Sequence, residues 1–535
     1  MAHRRSLIAI VLLAACLHAI GIARTLLPAQ DGLKLIRFAR QFQNDPWADV
    51  VRGADVHPLY PALVAMVEPS VAAAIGEGAD AWRIAAQLVA VLASLGLLIP
   101  VYFLTEAIFD RRIAFIAAGV LALLPRVAEV GRETLGDGLG LVATFVTLGL
   151  AARALRSGDW RFAAGAAAAS GLGYLARPEA ILLPAVIGLA WLVDRVWPSN
   201  PARPRAMLAL SLMLLVPAFF IGGYTTIKGG LSEKLALRNA AGLGPQAMPV
   251  RTVPQHVPQG LDDPRWDFSP KEETENIAIR GMGQAFKRIL GRWWEELAWF
   301  FAAMTVWGIA RRRAVRQAIG CEETNQGPRI ESRLLGLFAI VYLAALLRHC
   351  TTLGYLSWRH VLPLVVASMP WAAAGTYLCC RRIGELMRLS PGRARFARYA
   401  ATVFTLGLSI AVQMNPSHWS HLSRWGHWSA GRWLAAHAAP GEKVLDTRGW
   451  AQFISRLPGY DYWHVRQALT DSALAYVLVG VDELQASSAR GATLRAILSF
   501  AGTPLVDFPA SPGDPTPAVR IYRFHRPVSW EGIAR

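Results

Sequence analysis

The sequence predicts a mainly α, polytopic transmembrane helical bundle of about 11 helices with a small C-terminal extracytoplasmic α/β domain. Of its 535 residues, 54% are hydrophobic and only 17% are charged, which is too apolar for a soluble multidomain protein. The apolar residues form runs of roughly 17 to 25 residues, the length that crosses a bilayer as a helix. Basic residues gather in every second connection between these runs, as expected of a multi-pass membrane protein.

Each predicted membrane helix corresponds to one apolar run. The runs begin near Ser6, Trp82, Ile113, Leu135, Phe162, Ala180, Met207, Leu297, Leu334, Val361 and Tyr399. A lipoprotein-like cleavage box ends at Cys16, but the chain stays apolar beyond it, so we expect an uncleaved first helix.

The orientation follows from the basic connections, because positive residues are retained on the cytoplasmic side during insertion. With the N-terminus inside, the cytoplasmic connections carry Arg111, Arg112, Arg153, Arg156, Arg161, Arg195, Arg203, Arg205, Arg311, Arg312, Arg313, Arg316, Arg381, Arg382, Arg388, Arg393 and Arg395. The large polar segments then lie outside the cytoplasm. We therefore expect a protein of the plasma (inner) membrane whose functional face is extracytoplasmic.

The domain organisation follows from the same pattern. Residues 1–415 are predicted to form the membrane domain, with external loops at 28–80 and 228–292. Residues 416–535 alternate strand-like segments, at 443–445, 475–479, 505–508 and 519–522, with helical stretches. This alternation predicts a small α/β domain.

Two other classes of site are disfavoured by the sequence. The net charge of +18 invites comparison with nucleic-acid-binding proteins, but the basic residues lie in short runs between apolar stretches, so we expect no nucleic-acid partner. The five cysteines are scattered and show neither disulfide nor zinc spacing.

Asp31 follows the first apolar run directly, at the predicted outer face, and is followed by Gly32 and an amphipathic stretch. A carboxylate at this position can act as a base beside a substrate carried by a lipid. Alternatively, it caps the following helix, because aspartate favours N-terminal caps.

The segment at 55–61 places Asp55, His57 and Tyr60 around two prolines in the same external loop. The rigid Pro-x-x-Pro turn either presents an acid and an imidazole to a substrate or simply starts the next helix.

A third cluster of charges comprises Arg132, Glu133 and Asp137, at the outer end of the fourth predicted membrane helix. Asp137 begins an apolar run, and an ionisable group at that depth usually faces a cavity or a partner of opposite charge.

Two arginines mark outer turns further along the chain. Arg177 precedes Pro178 and Glu179, and Arg359 precedes His360. A guanidinium binds phosphate through a forked pair of donors, although each arginine could instead extend its side chain to the membrane surface.

In their order along the chain, these residues resemble the C-type superfamily of integral membrane glycosyltransferases, in the branch of the protein O-mannosyltransferases and aminoarabinose transferases. The matching landmarks are an acid opening the first external loop (Asp31), a Pro-Leu-Tyr motif (58–60), an aspartate opening the fourth helix (Asp137), an Arg-Pro turn (177–178), and Arg-His before Leu-Pro (359–363). Asp55 would occupy the second acidic region of the family.

The resemblance implies inverting transfer of a sugar from a polyprenyl-phosphate lipid to a protein, lipid or glycan acceptor at the extracytoplasmic membrane face. It implies catalytic roles for Asp31, Asp55 and Asp137, and substrate binding by His57, Tyr60, Arg132, Glu133, Arg177, Arg359 and His360. Some relatives bind a divalent metal cation near these carboxylates, and Asp55, His57 and Asp137 have suitable ligand atoms. Their spacing forms no compact metal-binding motif.

The sequence departs from the family at two places. No second acid follows Asp31, and His57 stands where the aminoarabinose transferases usually carry lysine. Two other functions remain open from the residues alone: a transporter or flippase with charges along its path, and a non-catalytic membrane scaffold.

Overall fold

The computed structural model describes residues 2–196, 206–232, 281–320, 330–386, 407 and 424–526. The described chain is mainly helical, with one small sheet near the C-terminus. The predicted helix near Tyr399 lies outside the described residues.

The membrane part begins with a helix, α1 (Ala2–Arg24), followed by three helices in the predicted first external loop: α2 (Gln30–Asn44), α3 (Trp47–Gly53) and α4 (Leu59–Ile75). It continues through α5 (Ala79–Ile108), α6 (Arg111–Leu123), α7 (Pro125–Arg132), α8 (Asp137–Ser157), α9 (Trp160–Ala176), a 3-10 turn (Pro178–Ile181) and α10 (Leu182–Val196). The remaining helices of this part are α11 (Ala206–Lys228), α12 (Met282–Glu296), α13 (Phe300–Ala310), α14 (Arg312–Ala318), α15 (Ile330–Leu353) and α16 (Trp358–Leu386).

Among the described residues, six helices are long and apolar enough to cross a membrane, and a seventh span results if bent α6 and α7 are counted together. Large apolar side chains point outward from them, including Leu215 and Phe219 on α11, as expected of a surface that faces lipid. These observations confirm a polytopic membrane protein. The count of about 11 stays a prediction.

Local signals explain where several helices begin and end. Asp110 caps α6 by accepting a hydrogen bond from the Ile113 amide at 2.9 Å. Asp159 caps α9 through the Arg161 amide, also at 2.9 Å. Between them, Gly158 ends α8 in the left-handed conformation that glycine adopts without strain. Helices α8 and α9 are therefore joined by a tight turn, which aligns their outer ends.

The C-terminal part holds a five-stranded sheet of order β2-β1-β3-β5-β4. Its elements are α17 (Trp425–His437), β1 (Lys443–Asp446), α18 (Trp450–Ser455), β2 (Gly459–Tyr460), α19 (Val465–Thr470), β3 (Leu474–Gly480), α20 (Val481–Gln485), α21 (Ala489–Ala501), β4 (Gly502–Pro509) and β5 (Pro517–Phe524). Strand β1 is parallel to β2 and β3, whereas β5 is antiparallel to β3 and β4. The four predicted strands are present in β1, β3, β4 and β5.

The sheet region contacts the segment between α1 and α2. Trp450 donates from its indole nitrogen to the Pro28 carbonyl oxygen at 2.9 Å, and Arg424 donates to the same oxygen at 2.9 Å. Arg37 of α2 pairs with Asp461 at 3.3 Å. These contacts place α17 and α18 directly beside the start of α2, where Asp31 lies.

Candidate active site

Asp31 lies in the first turn of α2, but Ala29, which has no polar side chain, occupies the N-cap position. The carboxylate of Asp31 instead accepts a hydrogen bond from the Arg359 guanidinium at 2.6 Å, and its side chain is 65% exposed. The observed partner of Asp31 is therefore a side chain 328 residues later in the sequence. Because the carboxylate is exposed, another atom can approach it from solvent.

Gly32 explains how α2 comes so close to the outer turn before α8. A β-carbon at position 32 would lie 1.6 Å from the Thr134 hydroxyl oxygen and 2.9 Å from the Thr134 carbonyl oxygen. Only glycine fits at such a distance. The absence of a second acid after Asp31 thus has a steric reason in this chain.

We expect Gly32→Ala to displace the start of α2 and with it Asp31. Small-to-large changes in a packed contact cost about 1–3 kcal/mol, and the contact here involves backbone that cannot rotate away. Thermal unfolding of the purified protein measures this cost. Gly188→Ala is the matched control, because a β-carbon on that α10 glycine meets nothing within 4 Å; equal effects of the two variants would contradict the packing argument.

Asp137, at the first position of α8, is the buried centre of a charge cluster that also contains Asp31, Arg177 and Arg359. Its side chain is 5% exposed, and it pairs with Arg177 at 3.1 Å and with Arg359 at 3.8 Å. Arg177 also pairs with Glu179 at 3.4 Å. A buried carboxylate is retained only with such partners, because an unpaired charge in this environment is costly. Arg359 is therefore shared between exposed Asp31 and buried Asp137.

A second glycine makes room for Arg177. A β-carbon on Gly140 would lie 2.5 Å from the Arg177 side-chain γ-carbon. The arginine side chain thus lies across the first turn of α8, where Gly140 leaves the helix surface flat. Arg177 pairs with Oδ1 of Asp137, whereas Arg359 is nearer to Oδ2.

Beneath this cluster, a narrow cleft runs between α8, α10, α15 and α16. Charged, polar and apolar side chains line it: Asp137, Arg177, Glu179, Arg359, Tyr342, Leu183, Phe338, Leu362 and Pro363. Its open volume is about 40 Å³, enough for one or two water molecules. A larger ligand has to open the cleft or displace one of the ion pairs.

Glu133 is buried in the turn before α8, close to three arginines. Burial raises the pKa of its carboxyl to about 7, although Arg424, Arg359 and Arg132 act in the opposite direction. Arg132 packs over α1, since a β-carbon on Gly21 would overlap its side chain. Glu133 thus adjoins the cluster through the charge of Arg359, and among the contacts observed Arg132 forms no ion pair with Asp31.

The raised pKa of Glu133 predicts a pH dependence of stability. Above its ordinary pKa of 4.5 the unfolded chain loses this proton while the folded chain keeps it up to about pH 7. The folded state is therefore favoured at low pH, and its stability falls as pH rises from about 4.5 through 7, by a few kcal/mol at most. Thermal unfolding at pH 5 and pH 8 should differ less in Glu133→Gln than in the wild type; an unchanged difference would contradict this assignment.

Asp55 adjoins the same face of α2 as Asp31. It pairs with Lys34, which lies one turn after Asp31, and both partners are about half exposed. Two carbonyl oxygens beside it, those of Arg52 and Ala54, accept hydrogen bonds from Lys228 at 2.8 and 2.6 Å. Asp55 is thus near the cluster but is not bonded to its arginines.

The remaining predicted residues occupy different surroundings. His57 is buried and stacks on Tyr224 at 4.9 Å, with Tyr174 edge-on at 5.1 Å. Tyr60 is buried and donates to the Ala86 carbonyl oxygen at 2.8 Å. His360 accepts a hydrogen bond from the Ser357 amide through Nδ1, and its carbonyl oxygen accepts one from Tyr342. Each of these three helps to position a helix in this structure.

The described residues do not form a metal site. No group of three or more His, Cys, Asp or Glu side chains among them is arranged to hold a metal ion. Asp55 is paired with a lysine, and Asp137 with two arginines, so cations already neutralise these carboxylates.

Several residues that shape the site were not anticipated from the sequence. They are Gly140, Tyr342 and Arg424, together with the steric role of Gly32. The sequence shows a glycine directly after Asp31, which could have indicated a close contact. The contacting atoms belong to Thr134, in a turn about one hundred residues later.

Comparison with known proteins now bears on this arrangement. Residues 58–221 match the family model of the dolichyl-phosphate-mannose-protein mannosyltransferases. This range contains Asp137 and Arg177, two members of the charge cluster. The resemblance to the C-type membrane glycosyltransferases is confirmed. No curated protein sequence gives a significant match.

Solved structures share the fold along nearly the whole chain. ArnT from Cupriavidus metallidurans, bound to undecaprenyl phosphate, matches with a TM-score of 0.59 at 12% identity over 98% of both chains. The oligosaccharyltransferase of Archaeoglobus fulgidus in its apo form matches with a TM-score of 0.57 at 12% identity, over 98% of this chain and 74% of that one. At such identities the likeness shows that this chain shares their fold, and no more. Together with the family match, it supports the predicted enzyme class.

Proposed function

We propose that this chain transfers a sugar, with inversion, from a polyprenyl-phosphate-linked donor to an acceptor hydroxyl at the extracytoplasmic membrane face. The observation that carries the proposal is Arg359, which pairs with exposed Asp31 and with buried Asp137 and lines a cleft together with several apolar side chains. A lipid-linked phosphate needs a cationic group beside an apolar channel, and a general base has to be open to an acceptor.

We infer that the donor phosphate replaces Asp31 as the partner of Arg359. The free cleft is too small for a phosphorylated sugar, and Arg359, which lines it, is paired with Asp31. The donor phosphate is a diester with one negative charge, and its two unesterified oxygens can accept a forked pair of hydrogen bonds from one guanidinium. The exposed Asp31–Arg359 pair that it replaces contributes at most about 1 kcal/mol. Donor binding therefore separates Arg359 from Asp31, while Arg177 remains paired with Asp137.

The released Asp31 then accepts the proton of the acceptor hydroxyl. The acceptor oxygen forms a bond to the anomeric carbon of the sugar, and the bond from that carbon to the phosphate oxygen breaks. The polyprenyl phosphate leaves with the bonding electrons and remains paired with Arg359. Because phosphate leaves readily as an anion, the transfer requires no strong acid.

Two solved relatives of this fold support the choice of donor class. ArnT from Cupriavidus metallidurans was solved with undecaprenyl phosphate, and the oligosaccharyltransferase AglB from Archaeoglobus fulgidus with dolichol-phosphate and an inhibitory peptide. For this chain we infer a polyprenyl-phosphate sugar as donor, and a protein, lipid or glycan as acceptor. Residues 1–415 would supply the transferase part, and residues 416–535 the external domain.

The proposed face of the membrane has its own test. The sheet region contacts Pro28 and Arg37, on either side of Asp31, and the basic connections favour a location of that side outside the cytoplasm, at the plasma (inner) membrane. We therefore expect activity from a reporter that works only outside the cytoplasm when it is fused after Arg535. A cytoplasmic reporter signal would overturn the orientation.

The reaction is tested by reconstitution of the full chain in proteoliposomes. A panel of polyprenyl-phosphate sugars with labelled sugar is supplied with membrane extract as the source of acceptor. We expect label to leave one donor and to appear in acceptor material, with release of one polyprenyl phosphate for each sugar. Folded protein that consumes no donor from the panel would contradict the proposal and favour transport or a scaffold.

A further inference from the structure

A second cavity, larger than the cleft, lies between the first external segment and the sheet region. Its volume is about 710 Å³, within the range of pockets that enclose small ligands. Helices α2 and α4 and the start of α5 form one wall, and α18 with its flanking residues forms the other.

Helix α2 separates this cavity from Asp31. The cavity-lining residues of α2 are Leu33, Ile36, Arg37, Arg40 and Gln43. They recur at helical spacing and form one stripe. At about 100° per residue, Arg40 is turned by about 180° from Asp31, and it lies about 13 Å further along the axis. The cavity is therefore distinct from the Asp31–Arg359 site.

Three arginines give the cavity its charge: Arg37, Arg40 and Arg456. The Arg40 guanidinium lies over the rings of Trp82 and Phe453, at 5.3 and 5.4 Å from their centroids. Its Nε atom is shielded from solvent and has no hydrogen-bond acceptor among the described residues. Burial and the charges of Arg456 and Arg37 lower the pKa of Arg40, and nearby Glu68 offsets only part of this.

Arg456 reaches the same cavity from the sheet region. Arg456 ends α18 with a φ of 59°, in the left-handed backbone conformation that residues other than glycine and asparagine seldom adopt. Its guanidinium lies against Gly78, where a β-carbon would be 2.9 Å from a terminal nitrogen. The left-handed residue ends the helix, and the Arg456 side chain lines the cavity.

We propose that this cavity binds a phosphate-bearing headgroup, at a site separate from the transfer reaction. Guanidinium groups on two walls suit an anion with several oxygens, because each can donate a forked pair of hydrogen bonds. Glu68 and Glu77 also line the cavity and can accept hydrogen bonds from hydroxyl groups of the same ligand. The ring faces of Trp82 and Phe453 offer an apolar wall.

The test is native mass spectrometry of the full-length protein with two probes, dihexanoyl phosphatidic acid and inorganic phosphate. We expect one phosphatidic acid to bind with an affinity that Arg40→Gln and Arg456→Asn each lower at least about tenfold. Asparagine tolerates the left-handed conformation, so the second variant keeps the turn. Competition by inorganic phosphate identifies the free anion as sufficient, whereas binding of the lipid alone identifies a lipid headgroup.

The matched control is Arg432→Gln, an exposed arginine that lies over Trp428 at 4.9 Å but does not line the cavity. It should retain the bound phosphatidic acid, as should Arg359→Gln, because the cleft is a separate site. Melting temperatures confirm that each variant is folded. Loss of the bound lipid in Arg359→Gln, equal affinity in all variants, or no binding of either probe would overturn the proposal.

Discussion

Asp31→Asn is expected to lower the rate of sugar transfer by about 100- to 10,000-fold, the contribution of a positioned general base. The amide cannot accept the proton of the acceptor hydroxyl, although it has nearly the same size. The fold should be retained, because Asp31 is exposed and exposed ion pairs contribute at most about 1 kcal/mol. Initial rates of transfer in proteoliposomes measure the effect, and thermal unfolding verifies the fold.

Asp49→Asn is the control for this variant. Asp49 is exposed in the same external segment and pairs only with Arg52 one turn away, at 2.7 Å, among the contacts observed. We expect its transfer rate to stay within about twofold of wild type, since its ion pair is local and screened. A folded Asp31→Asn protein with wild-type rate would show that another group removes the proton.

Arg359→Gln is expected to raise the KM for the polyprenyl donor by about 10- to 100-fold, because a charge-assisted hydrogen bond to phosphate is worth roughly 1.5–3 kcal/mol. Asp137 retains Arg177 at 3.1 Å in this variant, so the buried carboxylate stays paired. Steady-state kinetics with varied donor concentration separate KM from kcat.

The control for this variant is Arg348→Gln, which removes an exposed arginine near the outer end of α15. Its KM for the donor should equal that of wild type. If Arg359→Gln lowered kcat alone, Arg359 would act in the transfer step without holding the donor.

The sequence predicted that these charged residues share one face of the membrane, but it did not predict which of them form ion pairs. Asp31, Asp137, Arg177 and Arg359 each stand at the outer end of a helix, so a shared sidedness follows from alternating connections. The ion pairs join residues that are more than three hundred positions apart in the case of Asp31 and Arg359. Helix packing decides such contacts, and no local pattern encodes it.

The apolar runs predict those helices whose length is set by crossing the membrane. They do not predict helices that lie outside it. Helices α2, α3 and α4 lie in a segment that was expected to be an external loop, and α2 is amphipathic because its two faces meet different surroundings. In the sheet region, strand β2 is only two residues long. A segment of that length carries no periodicity, and its pairing with β1 depends on tertiary contact.

In the proposed reaction, Arg359 is exchanged between Asp31 and the donor phosphate, and a cryo-EM structure of the full chain with a polyprenyl phosphate would show this exchange. We expect phosphate oxygens within hydrogen-bonding distance of Arg359, and an Asp31–Arg359 separation well beyond the 2.6 Å of the free protein. A phosphate bound elsewhere, with that ion pair intact, would contradict the exchange.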